Sequence, residues 1–363
     1  MADRKSTETG RLAFIDWTRG LAALVMLQGH TFDSFTRSDL RNQGPFVFSQ
    51  FLGGMSPAIF LFLTGITFAF LMDSQDRKGV TAGKRVWAAL KRARYLFIVA
   101  FLFRIQLYVF GYPTSPADQL LKVDILNCMG LAMVIFAPMA VFTTLERIRL
   151  CTVLGMVVAF LAPLVSMIGP GTVPALVRSY FFPSTTEFGF FPWAAFLAFG
   201  MAAGSVLRVI KHEDLGKTVL WFLGVGIATA VAAHQLSNLP YSVYAKSDFW
   251  LNSPALVFIK TGATLAVLGL AYAWVHSASL DRWSVFRQLG TTSLLVYWVH
   301  IELVYGRWFG IWKEAFSVPQ VLTYTAILIA LMIGLSVLRT RYKAVMAYLR
   351  PAPVPQARRA SGD

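Results

Sequence analysis

About ten stretches of mostly apolar residues, each near the ~20 residues that a helix needs to cross a bilayer, occupy almost the whole chain. They fall near 12–35, 50–72, 95–111, 120–142, 150–168, 190–207, 218–237, 253–275, 287–305 and 320–338. In hydrocarbon every backbone polar group must be bonded within its own segment, so such stretches become helices. The chain is therefore expected to fold as an all-α, polytopic membrane helix bundle. Its 363 residues are 56% hydrophobic and only 14% charged, with a mean hydropathy of +0.58, far from the balance of a soluble domain. The first stretch follows a basic N-terminus as a signal peptide would. It is too long for one, carries charges and has no small-residue cleavage site, so it is expected to be retained. Residues 1–343 are read as a single transmembrane domain and 344–363 as a Pro-, Ala- and Arg-rich tail, disordered in the cytoplasm.

A net charge of +15 would suit a nucleic-acid binder, but its distribution argues otherwise. Alternating the segments from a cytoplasmic N-terminus puts about 23 of the 33 lysines and arginines on one side. These include Arg4, Lys5, Arg11, the run from Arg77 to Arg94, Arg147, Arg149, Arg208, Lys211, Lys217 and the C-terminal tail. The positive-inside rule then places both termini in the cytoplasm. Topology and anionic lipid account for most of this charge. No nucleic-acid partner is expected, while the 77–94 loop is also suited to receive an anionic ligand.

The first segment carries ionisable residues that hydrocarbon penalises by roughly 2.5 kcal/mol or more each. Arg19 and His30 are eleven residues apart, which returns to nearly the same helix face, so they share a stripe about 16 Å long. Asp16 lies one turn before Arg19, and Asp33 about one turn beyond His30. With the topology above, His30, Ser56, Asp124, Asn127, Lys260, His300 and Glu302 all fall in the extracytoplasmic half, where one cavity can hold them, and Arg104 matters if it faces the same space. Each has a structural reading beside the functional one. Asp16 and Arg19 can neutralise each other at i, i+3, and His30 can be a hydrogen-bonded interhelical histidine. Lys260 is too deep for easy snorkelling and calls for a carboxylate partner or a water-filled chamber. Trp17, Trp193, Trp221, Trp250, Trp274 and Trp308 fit interfacial belts, with Trp193 alternatively lining the cavity. Cys128 and Cys151 fall in different segments, imply no disulfide framework or metal site, and read as packing residues.

The RGLAALVMLQGH run, Arg19 to His30, resembles the Arg, ten residues, His element of the membrane-bound acyltransferase-3 family. The wider layout is still more similar to the bacterial relatives of heparan-α-glucosaminide N-acetyltransferase. It carries IDWTRGLA, then SPAIFLFLTGITFAF from Ser56, DILNCMGLAM from Asp124, FPWAAFLAFGMAAG, and LGTTSLLVYWVHIELVYG from Leu289. The resemblance implies a multi-pass enzyme of the bacterial inner (cytoplasmic) membrane. It would move an acyl group, usually acetyl, from cytoplasmic acyl-CoA to a hydroxyl or amine of a sugar, glycan or lipid-linked acceptor on the far side. Acetyl-CoA would be a co-substrate, with no bound cofactor and no metal.

By the same resemblance His30 is the catalytic histidine and Arg19 its partner, near the pantetheine path. Imidazole can serve as base or nucleophile, and Asp33 can orient it as in a triad. Lys260, His300 or Asn127 can supply an oxyanion donor, while Asp124 or Glu302 can bond sugar hydroxyls. The alternative is a polytopic transporter using the same buried charges as a substrate or proton path, against which the lack of a visible repeat counts. The apolar exterior meets lipid and partner helices alike, which leaves a homo-oligomer open.

Overall fold

The computed structural model describes residues 2–113, 115–169, 171–277 and 283–348. Its helices are α1 (Ala2–Phe35), α2 (Gly44–Gly53), α3 (Ser56–Arg77), α4 (Ala82–Gly111), α5 (Ile125–Phe136), α6 (Thr144–Ser166) and α7 (Ala175–Phe181). They continue as α8 (Phe190–Val209), α9 (Leu215–Ser237), α10 (Pro254–Ser277), α11 (Val285–Thr291), α12 (Ser293–Tyr305) and α13 (Val318–Tyr348). The described residues contain no strand, only an isolated bridge between Thr36 and Phe316. This is an all-α polytopic membrane bundle. The helix α13 runs on to Tyr348, and the rest of the expected tail lies outside the described residues.

Eight stretches among the described residues are long and apolar enough to cross a membrane. They are α2 with α3, α4, α5 with its flanking 3₁₀ turns, α6, α8, α9, α10 and most of α13. Two of the expected ten differ. The 34-residue α1 is long enough, but Asp16, Arg19, Gln28 and His30 dilute its apolar content. The stretch 287–305 breaks at Thr292 into α11 and α12, where the Thr292 hydroxyl bonds Gln288 O at 3.2 Å and Ser336 Oγ at 2.5 Å. A side chain that bonds nearby backbone in place of the helix ladder marks such a break.

The centre of the bundle is α8, packed between α3 and α6. Small residues make that closeness possible: a Cβ on Gly200 would lie 2.0 Å from Phe62 O, and one on Gly65 2.1 Å from Leu197 O. At the end rich in Lys and Arg, buried Asp73 staples three helices. It accepts from Arg77 Nε at 2.8 Å, Arg208 Nε at 2.6 Å and Thr144 Oγ1 at 3.0 Å. The helix α6 starts there with a capping box between Thr143 and Glu146. Trp221, Trp250, Trp274 and Trp308 are exposed, as a belt requires, whereas Trp17 packs on Phe286 and Trp193 lies inside against Lys260.

Candidate active site

A cavity of about 1940 Å³ runs lengthwise between α1, α3, α4, α5, α12 and α13. Along α4 its wall is the single face Arg92, Leu96, Phe103, Leu107 and Gly111, joined by Arg104. The nineteen residue steps from Arg92 to Gly111, at ~1.5 Å each, make that wall about 28 Å long, close to the thickness of a bilayer's hydrocarbon core. On α1 the wall is Arg19, Met26, His30 and Asp33, so the expected stripe from Arg19 to His30 faces one space. One mouth carries Arg19, Arg92, Arg339, Tyr95 and Tyr342. The other carries Asp33, Lys122, Arg307, Thr185 and Thr186.

One turn inside the Asp33 mouth, His30 and His300 meet. The rings lie nearly parallel, with centroids 5.2 Å apart and 11° between planes, and meet edge to edge, His30 Nδ1 2.9 Å from His300 Nε2. The other nitrogen of His300, Nδ1, lies 2.8 Å from Val296 O. A carbonyl only accepts, so that Nδ1 carries its hydrogen, and the Nε2 of a neutral His300 is an acceptor. His30 Nδ1 must then be the donor. In its neutral ring the remaining nitrogen, Nε2, keeps a free lone pair in the cavity wall. This is the tautomer logic of a catalytic triad, with a second histidine in place of the carboxylate.

Asp33, expected to orient the His30 ring, accepts instead from Tyr305 Oη at 2.8 Å, and the Tyr305 ring meets His30 edge-on at 5.4 Å. His300 is completely buried behind His30 and uses both nitrogens, so it holds His30 rather than reaching into the cavity as an oxyanion donor. Lys260 is not in the cavity wall: its ammonium caps Gly54 O at 2.9 Å and lies 5.2 Å over the Trp193 ring. The carboxylate or aqueous chamber expected for it is replaced by a carbonyl and an aromatic face. Asn127 is buried behind Asp124, to which its amide donates at 3.3 Å. Asp16 grips Arg19 at 2.8 Å, as the structural reading had it, while Arg19 itself lines the wall. Ser56 lines the wall too, with its hydroxyl donated to Ala22 O at 3.0 Å.

Two carboxylates in the wall are half-satisfied. Asp124 Oδ1 caps α5 through Leu126 N and Asn127 N at 2.9 and 3.0 Å. Its Oδ2 has only the charge of Arg104, 3.4 Å away, and no hydrogen bond. Glu302 Oε1 accepts from Trp308 Nε1 at 3.0 Å, and Oε2 has no partner. A buried acceptor left open is costly and calls for an explanation.

Arg339, Tyr305 and Arg307 carry no expectation from the sequence, whereas Arg92 belongs to the basic run 77–94 expected to suit an anionic ligand. The spacing of Arg92 to Leu96, Phe103, Leu107 and Gly111 marks the helix face of α4 that turns to the cavity, with Arg104 beside it. Among the described residues no three His, Cys, Asp or Glu side chains are grouped to hold a metal ion.

Residues 11–237 match a model of the family described as heparan-alpha-glucosaminide N-acetyltransferase, catalytic. A search of curated proteins finds no match. The matched span includes Arg19, His30, Asp33, Arg104 and Asp124, and stops before Lys260, His300 and Glu302. With well over half its length matched, the chain belongs to the heparan-alpha-glucosaminide N-acetyltransferase family, as a polytopic membrane acetyltransferase.

Proposed function

We propose that the protein transfers an acetyl group from acetyl-CoA, entering at the Arg92–Arg339 mouth, to an amine or hydroxyl of a sugar entering at the Lys122–Arg307 mouth, with His30 as the base. The observation that carries this is the free Nε2 of His30, whose ring is held by His300 in the wall of a cavity that runs the length of the bundle. Pockets for one small molecule measure roughly 300–1,000 Å³, so 1940 Å³ leaves room for two substrates end to end. Positive charge at one mouth suits the phosphates of CoA. Asp124 and Glu302, carboxylates in the cavity wall, suit the hydroxyls or amine of a sugar.

The acceptor N–H or O–H gives its proton to His30 Nε2 as its lone pair attacks the thioester carbonyl. The tetrahedral intermediate collapses with cleavage of the C–S bond. The departing CoA sulfur takes the proton back from Nε2, leaving free CoA and the acetylated acceptor. Throughout, His300 accepts from His30 Nδ1 and keeps Nε2 as the working atom.

Purified protein given acetyl-labelled acetyl-CoA and a glucosamine-terminated oligosaccharide tests the proposal. His30→Ala should lower transfer by about 10²–10⁴-fold, the usual contribution of a positioned base. His300→Ala should lower kcat with little change in KM, the pattern of an interaction felt in the transition state. Near-wild-type transfer by His30→Ala would move the chemistry elsewhere. Label retained on His30 when acceptor is withheld would make Nε2 a nucleophile rather than a base.

A further inference from the structure

The helices that carry the histidine pair are tied together again one turn further on. Ser34 follows His30 by four residues and Val304 follows His300 by four, so each lies on the same helix face as its histidine. Ser34 Oγ donates to Val304 O at 2.8 Å, a second rung parallel to the first. Both ends of that rung are held by a residue from outside either helix. Lys313, in the segment between α12 and α13, donates to Ser34 Oγ at 2.8 Å and also to Val304 O. Its ammonium lies 5.1 Å over the Phe35 ring and 5.5 Å over the Tyr305 ring.

The segment that presents Lys313 is itself strapped across the end of α1. Glu314 N donates to Ser34 O at 3.1 Å, Phe316 N to Phe35 O at 2.8 Å, and Arg37 N to Phe316 O at 3.1 Å. Glu314 takes a left-handed backbone conformation, φ 53°, which is uncommon for a residue with a side chain. That turn stands immediately after Lys313, and the bond from Glu314 N to α1 holds it.

We propose that Lys313 is a positioning residue: by clamping Ser34 to Val304 it sets the spacing of α1 and α12, and so the hydrogen bond from His30 to His300 that leaves His30 Nε2 free. The inference rests on the acyltransferase reading only for what the free nitrogen does. Burial pulls the Lys313 pKa down to about 8, against the pull of Asp33. The charged and titratable groups around the clamp are Asp33 on α1, Tyr305 on α12, and Arg41 and Glu314, which bond each other at 3.2 Å. The ammonium form holds the aromatic faces, so the clamp weakens as pH rises through about 8.

Lys313→Met and Lys313→Arg in lipid nanodiscs, each checked for an unchanged melting temperature, test the clamp by two readouts. One is kcat and KM for labelled acetyl transfer across pH 6.5–9.5. The other needs no reaction: the ¹⁵N resonances of His30 and His300, assigned with His30→Ala, report which ring nitrogen carries hydrogen. Lys313→Met should lower kcat by about tenfold to a hundredfold, the scale of a catalytic group displaced by about 1 Å, with KM little changed. The single Nδ1-protonated His30 tautomer should give way to a mixture. Lys313→Arg should restore much of both and move the alkaline fall in activity to higher pH. Unaltered kcat with unaltered tautomers would overturn the clamp, and so would lost activity with tautomers unchanged. A tautomer change in a protein whose wild type transfers no acetyl would leave the clamp standing and remove the acyltransferase reading instead.

Discussion

At the scale of single residues, what distinguishes this cavity is how its polar atoms are spent. His300 has no free nitrogen, Lys260 is committed to Gly54 O, and Asp33 is committed to Tyr305. His30 Nε2 keeps its lone pair, while Asp124 Oδ2, beside Arg104, and Glu302 Oε2 are buried without a hydrogen bond. An active site is where such unspent capacity is expected, because a substrate completes it. Glu302→Gln keeps the shape and one acceptor oxygen but removes the charge. A hydrogen bond to a charged group contributes about 1.5–3 kcal/mol, so this change should raise the acceptor KM about tenfold or more while the donor KM stays put. Steady-state kinetics with each substrate varied in turn checks it, and a rise confined to acetyl-CoA would place Glu302 in the donor half.

At the scale of elements, the stripe on α1 was legible because helical period alone puts Arg19 and His30 on one face. Depth was legible too, which is why Glu302 and Asp124 were expected near His30. Azimuth was not. Lys260 has the depth of the site, but α10 turns it toward the end of α2 and Trp193. The partnership of His30 with a residue 270 positions away depends on α12 lying parallel to α1, and no local pattern encodes that. Nor did apolar content disclose the break at Thr292, which a threonine and a serine on α13 create. The break lets α11 press against α1 where a Cβ on Gly290 would sit 1.8 Å from Asp16 O. Gly290→Ala should therefore part the two helices and cost about 1–3 kcal/mol, as overpacking does. A lowered melting temperature together with a lowered kcat is the expected result; unchanged values of both would mean that α11 does not set the position of α12.

At the scale of the whole molecule, the bundle has two differently charged mouths joined by one internal space about as long as a bilayer's hydrocarbon core is thick. The basic residues that line one mouth belong to the same end as the Asp73 staple and the excess of Lys and Arg. Under the proposed function, the positive-inside rule would put that end on the side that supplies acyl-CoA. The proposed sugar acceptor would then reach His30 from the opposite side without crossing. Sealed proteoliposomes of known protein orientation, with labelled acetyl-CoA on one side and a glucosamine-terminated oligosaccharide on the other, test this directly. Label should reach the sugar only when acetyl-CoA faces the Arg92–Arg339 mouth and the sugar faces the Lys122–Arg307 mouth, and His30→Ala should abolish it. Transfer only when both substrates share a side, or transfer undiminished in His30→Ala, would contradict the account.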